Sequence, residues 1–238
     1  MEQPSKPDLN GVIVIDKPRG PTSMSMVNLV RRKCKKVKTG HAGTLDPLAT
    51  GVLVLGVGTM TKKLGQLMAT HKRYTTVIDL SATSAGHDCE SPREEIEVDH
   101  IPTLNDVKDA VGTFSGVIMQ VPPIFSAVKV DGHRAYAVAR KGNEVKLKPR
   151  KVTVHDISVL TYEWPLATID IKCAKGFYVR SLARDLGKSL CVGGYCTEIR
   201  RTEVGRFTLS ISKQLEELPE FISQDDLISP SCVSLMLE

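Results

Sequence analysis

The chain has 238 residues, of which 41% are hydrophobic and 25% charged, and a formal net charge of +5. That length can bury a substantial core, and no apolar run approaches the roughly 20 residues a membrane helix needs. The polar start, MEQPSKPDLN, carries neither an apolar signal region nor an Arg-rich amphipathic pattern, so the cytoplasm is the expected location.

Residues 12–16 (VIVID) are β-branched and apolar, and Lys17-Pro18-Arg19-Gly20 stops them: a buried strand and a turn. Thr22 or Ser23 can cap a helix running to about Cys34, with Val27, Val30 and Cys34 on one side. Residues 38–51 read as a Gly- and Pro-punctuated loop. A strand over 52–57 and a short amphipathic helix to about Thr70 follow. A strand spans 74–80, a polar loop 83–100, a helix 104–114, and a strand 117–121 ended by Pro122-Pro123. A helix is expected near Arg134–Lys141, between Gly132 and Gly142, within a basic segment weakly anchored by apolar residues. Strands at 152–162 and 167–174 pair around Pro165. A helix follows from Val179 to Leu190, then strands at 193–202 and 206–210, and a short acidic helix and coil. Helices and strands mix without strict alternation, so the expected fold class is α+β with a mixed sheet.

The six cysteines (Cys34, Cys89, Cys173, Cys191, Cys196 and Cys232) form no CxxC pair and match no suitably spaced histidines. Neither zinc nor a disulfide framework is expected, and they read as reduced, mostly buried thiols. The charge is unevenly spread. Six of the eight residues from Arg31 to Lys38 are basic. Further clusters are Lys146, Lys148, Arg150 and Lys151, then Arg200, Arg201 and Arg206, while acidic residues gather at 88–99 and 215–226. This asymmetry suggests a basic face for a polyanion, although cations at a helix C-terminus also suit the helix dipole.

The chemistry-bearing stretch is Gly40-His41-Ala42-Gly43-Thr44-Leu45-Asp46-Pro47-Leu48-Ala49-Thr50-Gly51. Pro47 pushes Asp46 away from helical geometry, and the strand that follows anchors the loop. Taken alone, Asp-Pro is equally an ordinary turn. A metal-dependent hydrolase using His41 and Asp46 lacks further ligands at any familiar spacing.

GHAGTLDPLATGVL closely resembles the signature of the TruB family of tRNA pseudouridine synthases. The resemblance covers most of the chain. LNGVIVIDKPRGPTS looks like the family's N-terminal segment, and KRYTTVIDL like its second motif, with Tyr74. VPPIFSAVKVDGHRAYAVARKG resembles its RNA-binding insertion, at about 123–151, including Lys129 and Tyr136. GFYVRSLARDLG resembles its third motif, with Arg180, and EIRRTEVGRF its closing strand segment. Six such segments in the family's order are far more specific than any one of them.

The resemblance implies a pseudouridine synthase fold: a mixed, mostly antiparallel central sheet flanked by helices and loops, in a single catalytic domain. It implies an isomerase that converts uridine 55 of the tRNA TΨC stem-loop after flipping the base, and that needs no cofactor and no metal. Asp46 is then the nucleophile, Arg180 its counter-ion and Tyr74 the residue packing on the target base. His41 helps hold the flipped base, and Ile199 walls the pocket. Lys129, Tyr136, Arg200 and Arg201 are expected to contact RNA. Lys17 either joins them or braces the active-site floor. The protein is expected to act as a monomer, with no obligate protein partner.

Two features depart from the family's pattern. The chain stops about where bacterial members carry a C-terminal PUA-type RNA-binding module, so none is expected here. LSATSAGHDCESP is an unusual version of the acidic segment after the tyrosine motif. The LDPLATGVL spelling looks like the bacterial tRNA enzymes more than their guide-RNA-dependent archaeal and eukaryotic relatives.

Overall fold

In the computed structural model, residues 7–126, 129–130, 133–134 and 147–237 are described. The β-branched run forms β1 (Gly11–Lys17), almost wholly buried and ended by Pro18. Helix α1 (Ser23–Lys33) starts at Thr22, whose Oγ1 accepts from the Ser25 N–H at 3.0 Å. It ends in a double turn: Lys36 N–H donates to Arg31 C=O at 2.8 Å and Lys35 N–H to Arg32 C=O at 3.0 Å. Strands β2 (Thr39–His41) and β3 (Thr50–Val57) follow, then a 3-10 segment (Gly58–Lys63) and α2 (Leu64–Ala69).

Strand β4 (Lys72–Asp79) leads to a small ribbon, β5 (Ala82–Ser84) and β6 (Arg93–Glu95), inside the stretch expected to be loop. Helix α3 (Leu104–Gly112) opens on a capping box between Thr103 and Asp106. Then come β7 (Gly116–Gln120) and the short pair β8 (Lys129–Val130) and β9 (His133–Arg134). Arg134, expected to open a helix, lies in β9; residues 135–141 of that expected helix fall outside the described ones. The chain continues through β10 (Arg150–Glu163), β11 (Leu166–Cys173), α4 (Val179–Ser189), β12 (Tyr195–Val204), β13 (Phe207–Thr208) and α5 (Pro230–Leu237). The acidic tail forms isolated 3-10 turns at Leu215–Glu217 and Gln224–Asp226 rather than a helix.

These elements form two compact units, one of residues up to Arg73 and from Arg200 onward, the other Tyr74–Ile199. In the first, β3 is central. It pairs antiparallel with β1 from Gly11↔Val57 to Lys17↔Gly51, antiparallel with β2, and parallel with Arg200 and Arg201 of β12. Gly51 is obligatory here: its φ is +101°, and a Cβ would lie 2.1 Å from the Arg201 carbonyl oxygen. Val12, Val14, Val52, Val54, Met60, Leu67, Val204, Phe207 and Val233 form one core cluster. The tail closes onto β1, where Ile228 and Val12 exchange backbone hydrogen bonds of 2.7 and 2.9 Å.

In the second unit the strand order is β4-β11-β10-β7, with β10 antiparallel to both β11 and β7. Ile78, Leu80, Ile169, Ile171, Leu182 and Leu186 are fully buried. Gly194 permits close passage against α4, because a Cβ there would lie 2.0 Å from the Ala183 carbonyl oxygen. The expected α+β class with a mixed, mostly antiparallel sheet is observed. No described helix is long and apolar enough to cross a membrane.

Candidate active site

In the first unit the loop from Ala42 to Ala49 is held from beneath. Ala42, Leu45, Leu48 and Ala49 are buried, which pins the backbone while Asp46 and Pro47 stay half-exposed and Thr44 exposed. Three buried polar side chains tie the loop down.

Ser23, in the first turn of α1, accepts the Leu45 N–H at 2.7 Å and donates to the Leu45 carbonyl at 2.8 Å. Both backbone groups of the residue before Asp46 are thereby satisfied. Lys17 Nζ donates to the carbonyls of Pro18, Pro21 and Pro47, at 2.9, 2.8 and 3.2 Å. One ammonium thus ties both sides of the loop together, and Pro47 C=O also accepts the Gly20 N–H at 2.8 Å. Arg201 donates to Val52 C=O at 2.8 Å, Gly43 C=O at 3.3 Å and Thr44 C=O at 3.4 Å. Asp46 itself accepts the Ala49 N–H on its carbonyl at 3.1 Å, forming the turn that presents its side chain.

Lys17 is 0% and Arg201 1% exposed, so both cations are buried beneath the loop. Of the residues expected to contact RNA, Arg201 lies beneath the loop, as does Lys17, for which bracing is the other expected role. Each is spent on backbone carbonyls because burying an unpaired charge is far costlier. Arg200 is different: its side chain is 42% exposed, with a 2.7 Å ion pair to Asp16 and a 3.3 Å hydrogen bond to Thr50.

His41 ends β2 and opens the loop. Burial first, and the nearby Arg201 charge second, hold its pKa below the usual histidine value, so the ring is neutral at pH 7. Its Nδ1 is buried with no hydrogen-bond partner among the described residues.

In the second unit Tyr74 lies half-buried near the start of β4. Thr76 Oγ1 donates to the Glu198 carbonyl at 2.6 Å, which sets β4 beside β12 and its buried Ile199. Arg180 is the second residue of α4 and 5% exposed. It donates to Asp88 at 3.0 Å, to Gly86 C=O at 3.2 Å and to Phe125 C=O at 2.7 Å. The start of α4 is fixed by a reciprocal pair. Gln120 accepts the Tyr178 N–H at 2.8 Å and donates to the Tyr178 carbonyl at 3.1 Å. Lys129 lies in β8, and Tyr136 falls outside the described residues.

The sequence offers Ser23 only as a helix cap and gives no site role to Asp88 or Gln120. A buried arginine demands a carboxylate, which is the signal that points to Asp88, but its burial is known only from the fold. No cluster of metal-binding side chains occurs among the described residues.

A family model described as TruB family pseudouridylate synthase (N terminal domain) matches residues 31–179. The chain belongs to the TruB family. The tRNA pseudouridine synthase B of Arthrobacter sp. is 43% identical over 218 residues, covering 89% of this chain and 71% of that protein. That of Parabacteroides distasonis is 39% identical over 221 residues, covering 90% and 94%. Among solved structures, a Cbf5-Nop10-Gar1 complex matches with a TM-score of 0.69 at 29% identity, over 87% of this chain and 53% of that one. An H/ACA RNP bound to a substrate RNA containing 2′-deoxyuridine matches with a TM-score of 0.66 at 26% identity, over 87% and 52%. The TruB-like segments GHAGTLDPLATG and GFYVRSLARDLG coincide with the two braced stretches, one in each unit.

Proposed function

We propose that this chain is a tRNA pseudouridine synthase that isomerises uridine 55 of the TΨC loop, with Asp46 as its nucleophile. The observation that carries this reading is the loop itself. Its family-signature aspartate stands half-exposed at a turn whose flanking residues are locked by Ser23, Lys17 and Arg201. A carboxylate held this way loses little freedom on reaching the reacting nucleoside.

The uridine is flipped out of its stack, and the Asp46 carboxylate adds to it. The N1–C1′ bond breaks, the base turns, and C5 bonds to C1′. The C5 proton then leaves, N1 gains one, and Asp46 is released. The balance is an isomerisation with no redox change, so no cofactor is required. Tyr74 packs on the target base and takes part in removing the C5 proton. Arg180 favours the ionised aspartate and orients it. Neutral His41 stacks or packs to hold the flipped base, and Ile199 walls the pocket. Arg200, Lys129 and Tyr136 contact RNA, and the protein acts as a cytoplasmic monomer without an obligate protein partner. Asp46→Asn should abolish pseudouridine formation in a tRNA transcript while the protein still folds and binds RNA; full activity in that variant overturns the assignment.

A further inference from the structure

The basic run at the C-terminal end of α1 has no role in the site described above. Arg31, Arg32, Lys35, Lys36 and Lys38 are exposed, and none forms an ion pair among the described residues. Lys33 differs, because its ammonium donates to the carbonyls of Leu218 and Pro219 at 3.4 and 2.6 Å. The tail segment that packs here supplies these carbonyls and the Phe221 ring, 5.4 Å from Lys35 Nζ.

The helix dipole accounts for cations in the last turn, Arg31 to Lys33. It does not account for Lys35, Lys36 and Lys38, which lie beyond the helix. Lys35 and Lys36 also adopt left-handed φ values of 48° and 66°. Lys35 occupies the position after a helix end where glycine is the unstrained choice. Lysine at a position suited to glycine implies that its charge is used.

The placement suggests the use. Helix α1 begins at Ser23, bonded to Leu45 beside Asp46, and ends at the basic run. Eleven residues span about 16 Å at ~1.5 Å per residue, less than the width of an RNA duplex. From the other side, β2 connects the run directly to His41.

We infer that the surface formed by Arg31, Arg32, Lys35, Lys36 and Lys38 is an RNA phosphate-binding site. It grips the backbone of the stem flanking the target loop while Asp46 engages the uridine. This deepens the proposed function and rests on RNA being the substrate. Such contacts position without reading sequence, and they make affinity salt-dependent.

The test is a triple variant, Arg31→Gln, Arg32→Gln and Lys35→Gly, compared with a charge-matched control, Lys108→Gln, Lys172→Gln and Lys188→Gln. Binding of a full-length tRNA transcript is measured between about 50 and 200 mM salt, a range over which phosphate contacts show. The patch variant should bind at least about tenfold more weakly, with a log–log salt slope smaller by about one per lost contact. Its kcat at saturating RNA should match wild type. Lys35→Gly alone should keep the wild-type thermal midpoint or raise it, which separates weaker binding from misfolding. Unchanged affinity and slope, or an equal loss in the control set, overturns the inference. Because binding is read directly, a wild-type protein that binds through this patch yet leaves uridine unchanged would sink the proposed reaction and not the patch.

Discussion

Ser23→Ala tests whether the loop's bracing matters to the chemistry. The hydroxyl is 2% exposed and satisfies both the N–H and the C=O of Leu45, at 2.7 and 2.8 Å. Alanine removes one atom and leaves two backbone groups unpaired in a buried place. An unsatisfied buried group costs about 1–3 kcal/mol, so after some relaxation the fold should lose about 2–4 kcal/mol. Urea denaturation of the two proteins reads that difference. The neighbouring Asp46 should lose its set position, and a displacement of the order of 1 Å typically lowers turnover about 100-fold. RNA tritiated at uridine C5 releases its label to water as the reaction proceeds, so kcat and KM are both measurable. The expectation is a kcat lowered by about 10- to 100-fold, KM nearly unchanged, and partial rescue by Ser23→Thr, which restores the hydroxyl. A stability loss below about 0.5 kcal/mol together with a wild-type kcat would refute the bracing argument.

Removing Asp88 takes a 3.0 Å charge-assisted hydrogen bond from the buried Arg180 guanidinium, so Asp88→Ala should cost about 1.5–3 kcal/mol; a loss under about 0.5 kcal/mol in urea denaturation contradicts the buried pairing. The depressed pKa of His41 means that the native ring resists a proton which the unfolded chain accepts below about pH 6.5. His41 therefore subtracts stability as pH falls through that value, until the native ring itself protonates. His41→Asn should flatten this part of the stability curve, and an unchanged slope between about pH 6.5 and 5 rejects the account. Burial pushes the Cys34 thiol up to about 11 and the Cys196 thiol up to about 12, while Cys191 and Cys232 are exposed. A disulfide reagent should label the exposed pair quickly and the buried pair only on unfolding; rapid native labelling of Cys34 or Cys196 would contradict their burial.

Much of the architecture is legible in the chain because apolar periodicity and turn residues act locally. Strand β1, helices α1 and α3 and the hairpin around Pro165 follow from such patterns. The ribbon β5–β6 looks like loop in the sequence because its residues, Ala82–Ser84 and Arg93–Glu95, carry no apolar alternation. Its pairing and the packing of residues 87–89 on Cys196 hold it instead. The tail likewise carries acidic residues in single turns, because its backbone bonds to β1 at Ile228 and Lys213 compete with a continuous helix.

The candidate site divides the same way. The family motifs single out Asp46, Tyr74 and Arg180 on their own, since motif spacing is a property of the chain. The work of the surrounding cations is not such a property. Lys17, Arg200, Arg201 and the Arg31–Lys38 run read alike as positive charge. Only folding buries Lys17 and Arg201 among backbone carbonyls, gives Arg200 half its surface and Asp16, and leaves five cations of the helix end facing solvent. The sequence by itself determined which residues could do chemistry. The tertiary structure decided which charges hold the loop and which remain free for a polyanion, because burial and hydrogen-bond partners come from long-range packing.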